Sequence, residues 1–184
     1  MEADLPKDNI ERAIKKGTGE IASDRIEEIV YEGFGPGGVA ILVEALTDNR
    51  NRSSSNVKHI FSMHGGNMAG SGAVQWLFER KGMVRLAGGK PSDEAELALI
   101  DAGADDIAVD GAGLTVTGAP DAVARIRDAA EEQRLKVLSI GFEWFAKEKA
   151  SALDAETGEK LEGLLGALDE DEDVNAIYTN YNVQ

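Results

Sequence analysis

The order of apolar periodicities between residues 82 and 148 restricts this chain more than any other feature. "GMVRLA" reads as a strand, "SDEAELALIDAGA" as a helix capped by Ser92 and stopped by Gly103, and "DDIAVD" and "GLTVTG" as two further strands. "DAVARIRDAAEEQ" then reads as a second helix and "KVLSIGFEW" as a closing strand. A β-α-β-β-α-β succession is that of a split βαβ sandwich of ferredoxin-like type, so the segment predicts a self-contained unit.

The flanks must then complete something else. Ile26 to Phe34 and Val39 to Thr47 are β-rich runs separated by Gly-Pro-Gly-Gly, and "VAILVEAL" is too β-branched and too short for a helix. "NRNRSSSNVKHIFSMHGGN" predicts one amphipathic helix: its serines suit an N-cap, Val57, Ile60, Phe61 and His64 recur at helical spacing, and Gly65-Gly66 is a stop. "GAVQWLFE" alternates, with Val74, Trp76 and Phe78 on one side, as a half-buried strand does. Beyond the inserted unit, "DAETGEKLEGLLGAL" sets Leu161, Leu164, Leu165 and Leu168 on one helical face, and "VNAIYTNY" reads as a strand. That last piece is too small to stand alone. The expected fold class is α+β, with two ferredoxin-like-type α/β sandwich domains: residues 25–80 plus 150–184 form a discontinuous domain, and 82–148 is inserted in it. Residues 1–22, with "LPKDNIERAIKKGTGE", predict a short helix whose narrow stripe of Ile10, Ala13 and Ile14 requires neighbours, as part of a helical unit.

Composition removes several function classes. The chain has no cysteine, which excludes disulfides, thiolate zinc sites and cysteine nucleophiles. Its 42% hydrophobic and 29% charged content is ordinary for a soluble domain. It holds neither an apolar run long enough to span a bilayer nor a basic-plus-apolar leader, so no membrane contact is expected and a cytoplasmic location is. The net charge of −15 argues against a basic coat for wrapping nucleic acid, and residues 149–184 hold nine acids against two bases.

One stretch departs from that background. From Asn49 to Phe78 there is no Asp or Glu, where average usage would place about five or six. Within it, Arg50 and Arg52 stand before an expected helix N-terminus, whose free N–H groups, serine hydroxyls and dipole favour phosphate. Arg50, Arg52, Ser53, Lys58 and His59 are therefore the candidate nucleic-acid-binding residues; the alternative is a solvated helix start that happens to lack acids.

Other patterns fail their own tests. Gly33, Gly35 and Gly38 match G-x-G-x-x-G, but a dinucleotide site needs a helix after the glycines and here a strand follows. The glycines are expected to serve turn geometry with positive φ. Ser55 and His59 share a helical face, yet no acid lies nearby to orient the imidazole, so no catalytic residues are assigned and no enzyme is expected. His59 and His64 do not share a face, and "DEDED" at 169–173 lacks the glycine and glutamate of a calcium loop, so neither metal nor cofactor is expected and the acidic run reads as a solvated turn. Phe61, Trp76 and Phe78 could stack on bases, but their spacing fits core packing better.

The blocks "LPKDNIERAIKKGTGE", "YEGFGPGGVAILVEALTDNRNRS", "HGGNMAGSGAVQWLFERKG", "ALIDAGADDI" and "LDAETGEKLEGLLGALDEDEDVNAIYTNY" together resemble the YebC/PmpR family, which includes the mitochondrial translational activator of cytochrome oxidase subunit I. The similarity covers essentially the whole chain, and "YEGFGPGG" and "TDNRNR" are its most specific parts. The resemblance implies three domains, an N-terminal helical one and two α+β ones, with residues 1–22 the remnant of the first. It further implies a non-enzymatic regulator of gene expression, either a DNA-binding transcriptional regulator or a translation factor acting on mRNA or the ribosome. An acidic protein-interaction module is the other reading. Phe34, Gly35, Pro36 and Gly37 are expected to form a partner-contact loop. No small-molecule substrate is expected, and a monomer is the default oligomeric state.

Overall fold

A computed structural model describes residues 25–111 and 113–181. The helix expected within residues 1–22, and with it the remnant of a helical domain, lies outside them. The chain divides into two units, one ending at Phe78 and resuming at Ala146, the other running from Glu79 to Phe145.

In the first unit β1 (Glu27–Phe34) and β2 (Ala40–Thr47) form an antiparallel hairpin in unbroken register from Glu27↔Thr47 to Phe34↔Ala40. β3 (Asn67–Ala69) joins β1 and β8 (Val174–Thr179) joins β2, giving a four-stranded antiparallel sheet of order β3-β1-β2-β8. Two helices, α1 (Arg50–Met63) and α4 (Ala155–Asp169), cover one face. Strand alternation puts Ile29, Tyr31, Ile41, Val43 and Ala45 on that face, where they pack with Val57 and Phe61 of α1 and Leu161, Leu164 and Leu168 of α4. Leu165 lies at the edge of the same cluster. Asp154 caps α4 by accepting from the Thr157 N–H at 2.8 Å, and that bond holds its carboxyl below the usual carboxylate range.

In the second unit β4 (Phe78–Leu86), α2 (Asp93–Asp101), β5 (Ala104–Asp110), β6 (Gly113–Gly118), α3 (Val123–Glu132) and β7 (Val137–Ala146) follow in order, and the sheet runs β5-β6-β4-β7. This is the ferredoxin-like arrangement, with the first and third strands central. Ser92 caps α2 by accepting from Ala95 N–H, and Gly103 ends it at φ 109. Val84, Leu86, Leu114, Val116, Leu99 and Ile126 form its core. The first unit has the same sheet-and-two-helix layers, but its ββαβ plus αβ connectivity yields a different strand order.

One expected strand is absent. Residues 75–77 form a 3-10 turn, β4 begins at Phe78, and the third strand of the first sheet is the three-residue Asn67–Ala69. Trp76 consequently stands 65% exposed, not in a core. The periodicity misleads because Val74 and Phe78 are buried on either side of a turn and not along one strand.

Candidate nucleic-acid interface

The helix that carries the basic residues starts earlier than its serines suggest. Thr47 at the end of β2 accepts the Asn49 N–H at 3.0 Å, and Asn49 caps the helix by accepting from Arg52 N–H at 3.1 Å. Asn is as good a cap as Ser, so Arg50 is the first helical residue and Arg52 and Ser53 lie within the opening turns. They do not precede the helix.

The five candidates are consequently not equivalent. Ser53 has 0% exposure and its hydroxyl has no hydrogen-bond partner among the described residues; it faces the core with Val57 and Phe61 and does not reach solvent. Its place among the phosphate contacts is withdrawn, because the helix register puts it four residues before Val57 on the buried stripe. Arg52 is half exposed, but its Nη2 donates to Asp48 Oδ1 at 2.9 Å and to Asp173 Oδ1 and Oδ2 at 3.1 and 3.2 Å. The bond and charge of Asp173, then those of Asp48, raise its pKa, so the guanidinium is fully charged and already paired. Arg50 is exposed and only loosely opposite Glu27, at 3.9 Å. Lys58 and His59 are exposed on the helix. Neither Asp nor Glu occurs within α1.

The acid-free stretch is thus acid-free along the chain and not in space. Asp173, read from sequence as part of a solvated acidic turn, is 6% exposed and also accepts the Thr47 hydroxyl at 3.1 Å, while its carbonyl accepts Leu46 N–H. It ties the ends of β2 and the acidic turn to the first turn of α1. Nothing in the run "DEDED" marks its last member as the buried one; the following Val174, buried in the core, is the sole local hint.

A second buried carboxylate escaped the sequence altogether. Glu32 pairs with Leu42 across the hairpin, on the sheet face opposite α1 and α4, and is 3% exposed. It accepts backbone N–H groups of Gly72 at 2.6 Å and of Val74 and Gln75 at 2.8 Å. Burial pushes its carboxyl up, and the three N–H bonds outweigh that and leave it below the usual carboxylate range. Glu32 therefore organises the segment that displays Trp76.

The loop 34–37 is packed. Gly35 and Pro36 are buried, Phe34 is half-buried, and Gly37 is exposed. A Cβ on Gly35 would lie 2.9 Å from both Ile41 and Leu161, and one on Gly33 would lie 2.6 Å from the Phe61 ring and 2.8 Å from the Asn67 carbonyl oxygen. Gly37 and Gly38 have φ of 74 and 75. Positive φ therefore accounts for the second pair of glycines, and close packing for Gly33 and Gly35. Strand β2 follows them, so the glycines do not lead into a helix, and the first turn of α4 that packs on Gly37 through Thr157 is already capped by Asp154. Next to it, Met63, His64, Gly65, Glu156, Glu159, Lys160 and Gly163 line an open groove of about 480 Å³. His64 is half-buried there at the helix end and does not sit in the core. Among the described residues no helix is long and apolar enough to cross a membrane.

Residues 26–181 match the family model described as the second and third domain of TACO1/YebC. A protein of Treponema pallidum named "Probable transcriptional regulatory protein" is 45% identical over 183 residues, 98% of this chain and 74% of its own length. One of the same name from Myxococcus xanthus is 45% identical over 185 residues, covering 100% of this chain and 74% of the relative. The crystal structure of a conserved hypothetical protein from Aquifex aeolicus superimposes with a TM-score of 0.78 at 38% identity, over 100% of this chain and 76% of that one. With a family model spanning both units and relatives this similar over nearly every residue, the chain belongs to the TACO1/YebC family.

Proposed function

We propose that this chain is a non-enzymatic, cytoplasmic regulator of gene expression that binds nucleic acid through the N-terminal end and exposed side of α1. The observation that carries the reading is that helix: Arg50, Lys58 and His59 are solvent-exposed on an element without a single acid, beginning at a capped N-terminus whose dipole favours phosphate. Arg52 is held by Asp48 and Asp173, and releasing it from Asp173 would add it to those three. The name carried by the relatives favours transcription, and with it DNA as the nucleic acid to test first. The same surface would serve a translation factor, because mRNA and ribosomal RNA present the same phosphates. Crosslinking in cells followed by sequencing of the recovered nucleic acid separates these: DNA supports transcriptional control, mRNA or ribosomal RNA supports translation, and recovery of neither refutes nucleic-acid binding.

A second reading has its own support. Glu156 and Glu159 lie exposed on α4 beside the groove and the tip of the 34–37 loop; Glu156 is paired with Lys160 at 2.7 Å, and the acid that remains in excess fits a basic protein partner. Co-sedimentation with ribosomes that survives nuclease and fades with salt would favour it.

A further inference from the structure

Trp76 is the largest side chain left in the open in the first unit, and it is held there. The Glu32 carboxylate fixes the N–H groups of Gly72, Val74 and Gln75. The Trp76 indole Nε1–H donates to the Ala73 carbonyl at 3.0 Å, within its own turn. Lys147 closes the other side, its Nζ donating to the Trp76 carbonyl and its backbone N–H to that of Leu77, both at 2.9 Å. An exposed tryptophan on a floppy loop would need no account. Here both walls of a short turn are anchored, so the ring is displayed at little entropic cost for whatever lands on it.

The chemistry of the display narrows the partner. The one polar atom of the ring is already satisfied by Ala73, so what it offers is its π surface. A protein hot spot surrounds its tryptophan with further apolar side chains; in this turn Val74 and Phe78 are buried and Leu77 is half-buried, which leaves Trp76 as its one exposed large apolar side chain. The Lys147 ammonium sits at the Trp76 carbonyl, where it can meet a phosphate. A flat aromatic face with a cation beside it and no free donor matches an unpaired nucleobase and its adjoining phosphate. On the reading that the protein binds nucleic acid, we propose that Trp76 is a stacking platform for an unpaired base of single-stranded RNA or DNA, with Lys147 at the flanking phosphate.

The test uses the full chain carrying Trp144→Phe, which leaves Trp76 as the sole tryptophan of the two. Oligouridylate and oligothymidylate of about a dozen nucleotides, and a DNA duplex, are titrated while indole emission is read; end-labelled versions report affinity by anisotropy. Stacking predicts quenching by the single strands and not by the duplex. It also predicts about five- to 150-fold weaker single-strand binding for Trp76→Ala, with most of the affinity kept by Trp76→Phe. Comparing the uridylate and thymidylate arms tells RNA from DNA. Binding without quenching, or unchanged affinity in Trp76→Ala, overturns the platform and leaves nucleic-acid binding standing. Failure of every oligonucleotide and duplex to bind overturns both.

Discussion

Replacing Glu32 by Gln tests whether a buried carboxylate holds the Trp76 turn. Glu32 Oε2 accepts two N–H groups and Oε1 a third. A glutamine has one acceptor oxygen, so it can keep Val74 and Gln75 or keep Gly72. If it keeps the pair, each bond changes from a charged to a neutral acceptor, a loss of about 1 kcal/mol apiece, and the Gly72 N–H left against an amide N–H₂ adds about 1 more. Relief from burying a charge returns part of this, leaving a net destabilisation of about 2–3 kcal/mol. In a chain of this length that is about 5–10 °C in melting temperature. Calorimetry or circular dichroism gives the global value, and hydrogen exchange at Gly72, Val74 and Gln75 gives the local one. The pH dependence has a definite sign. A carboxyl whose pKa is lowered in the folded state contributes stability above its unfolded value, about 4.3 for Glu, and that contribution is lost as the pH falls through the lower folded value. The gap between the wild type and Glu32→Gln therefore closes in acid. Equal melting at neutral pH, or a gap that persists unchanged to about pH 3, would refute the reasoning.

Three substitutions probe other parts of the account. Ser53→Ala removes a buried hydroxyl that has no partner among the described residues, so stability should stay within about 0.5 kcal/mol or rise, with nucleic-acid affinity unchanged; a loss of affinity would return Ser53 to the interface. Asp173→Asn should lower the melting temperature, because it weakens the links to Thr47 and Arg52, and should steepen the salt dependence of nucleic-acid binding by roughly 0.9, one added phosphate contact. Gly33→Ala forces a methyl onto the Phe61 ring and the Asn67 carbonyl and should cost about 1–3 kcal/mol in chemical denaturation.

What the sequence made legible was what local periodicity encodes. The β-α-β-β-α-β order between Phe78 and Ala146, the Ser92 cap and the leucine face of α4 are all set by residues within a few positions of one another. The misses share a cause: they depend on partners distant in the chain. Asp173 is buried because Arg52, 121 residues away, and Thr47, 126 away, converge on it. Glu32 is buried by a loop some 40 residues on. Gly33 and Gly35 are glycine because helices that come later press on the hairpin. Asn67–Ala69 is too short to carry an alternating signal, and the real alternation at 74–78 arises from a turn. At the candidate interface the acid-free stretch picked out one helix but not which of its residues are free to meet a ligand, since Arg52 and Ser53 are claimed by contacts from elsewhere and from within the core.

The central claim is that the N-terminal end and exposed side of α1 meet phosphate, and the salt dependence of binding tests it most directly. Affinity of the full chain for a labelled nucleic acid is measured across a salt series, for the wild type and for Arg50→Ala with Lys58→Ala. Both side chains are exposed, so the double variant should melt like the wild type. If each meets one phosphate, the slope of log affinity against log salt becomes shallower by roughly 1.8 on duplex DNA, or roughly 1.4 on a single strand, and affinity falls. Wild-type affinity and slope in the double variant would contradict the claim and move the interface off this helix.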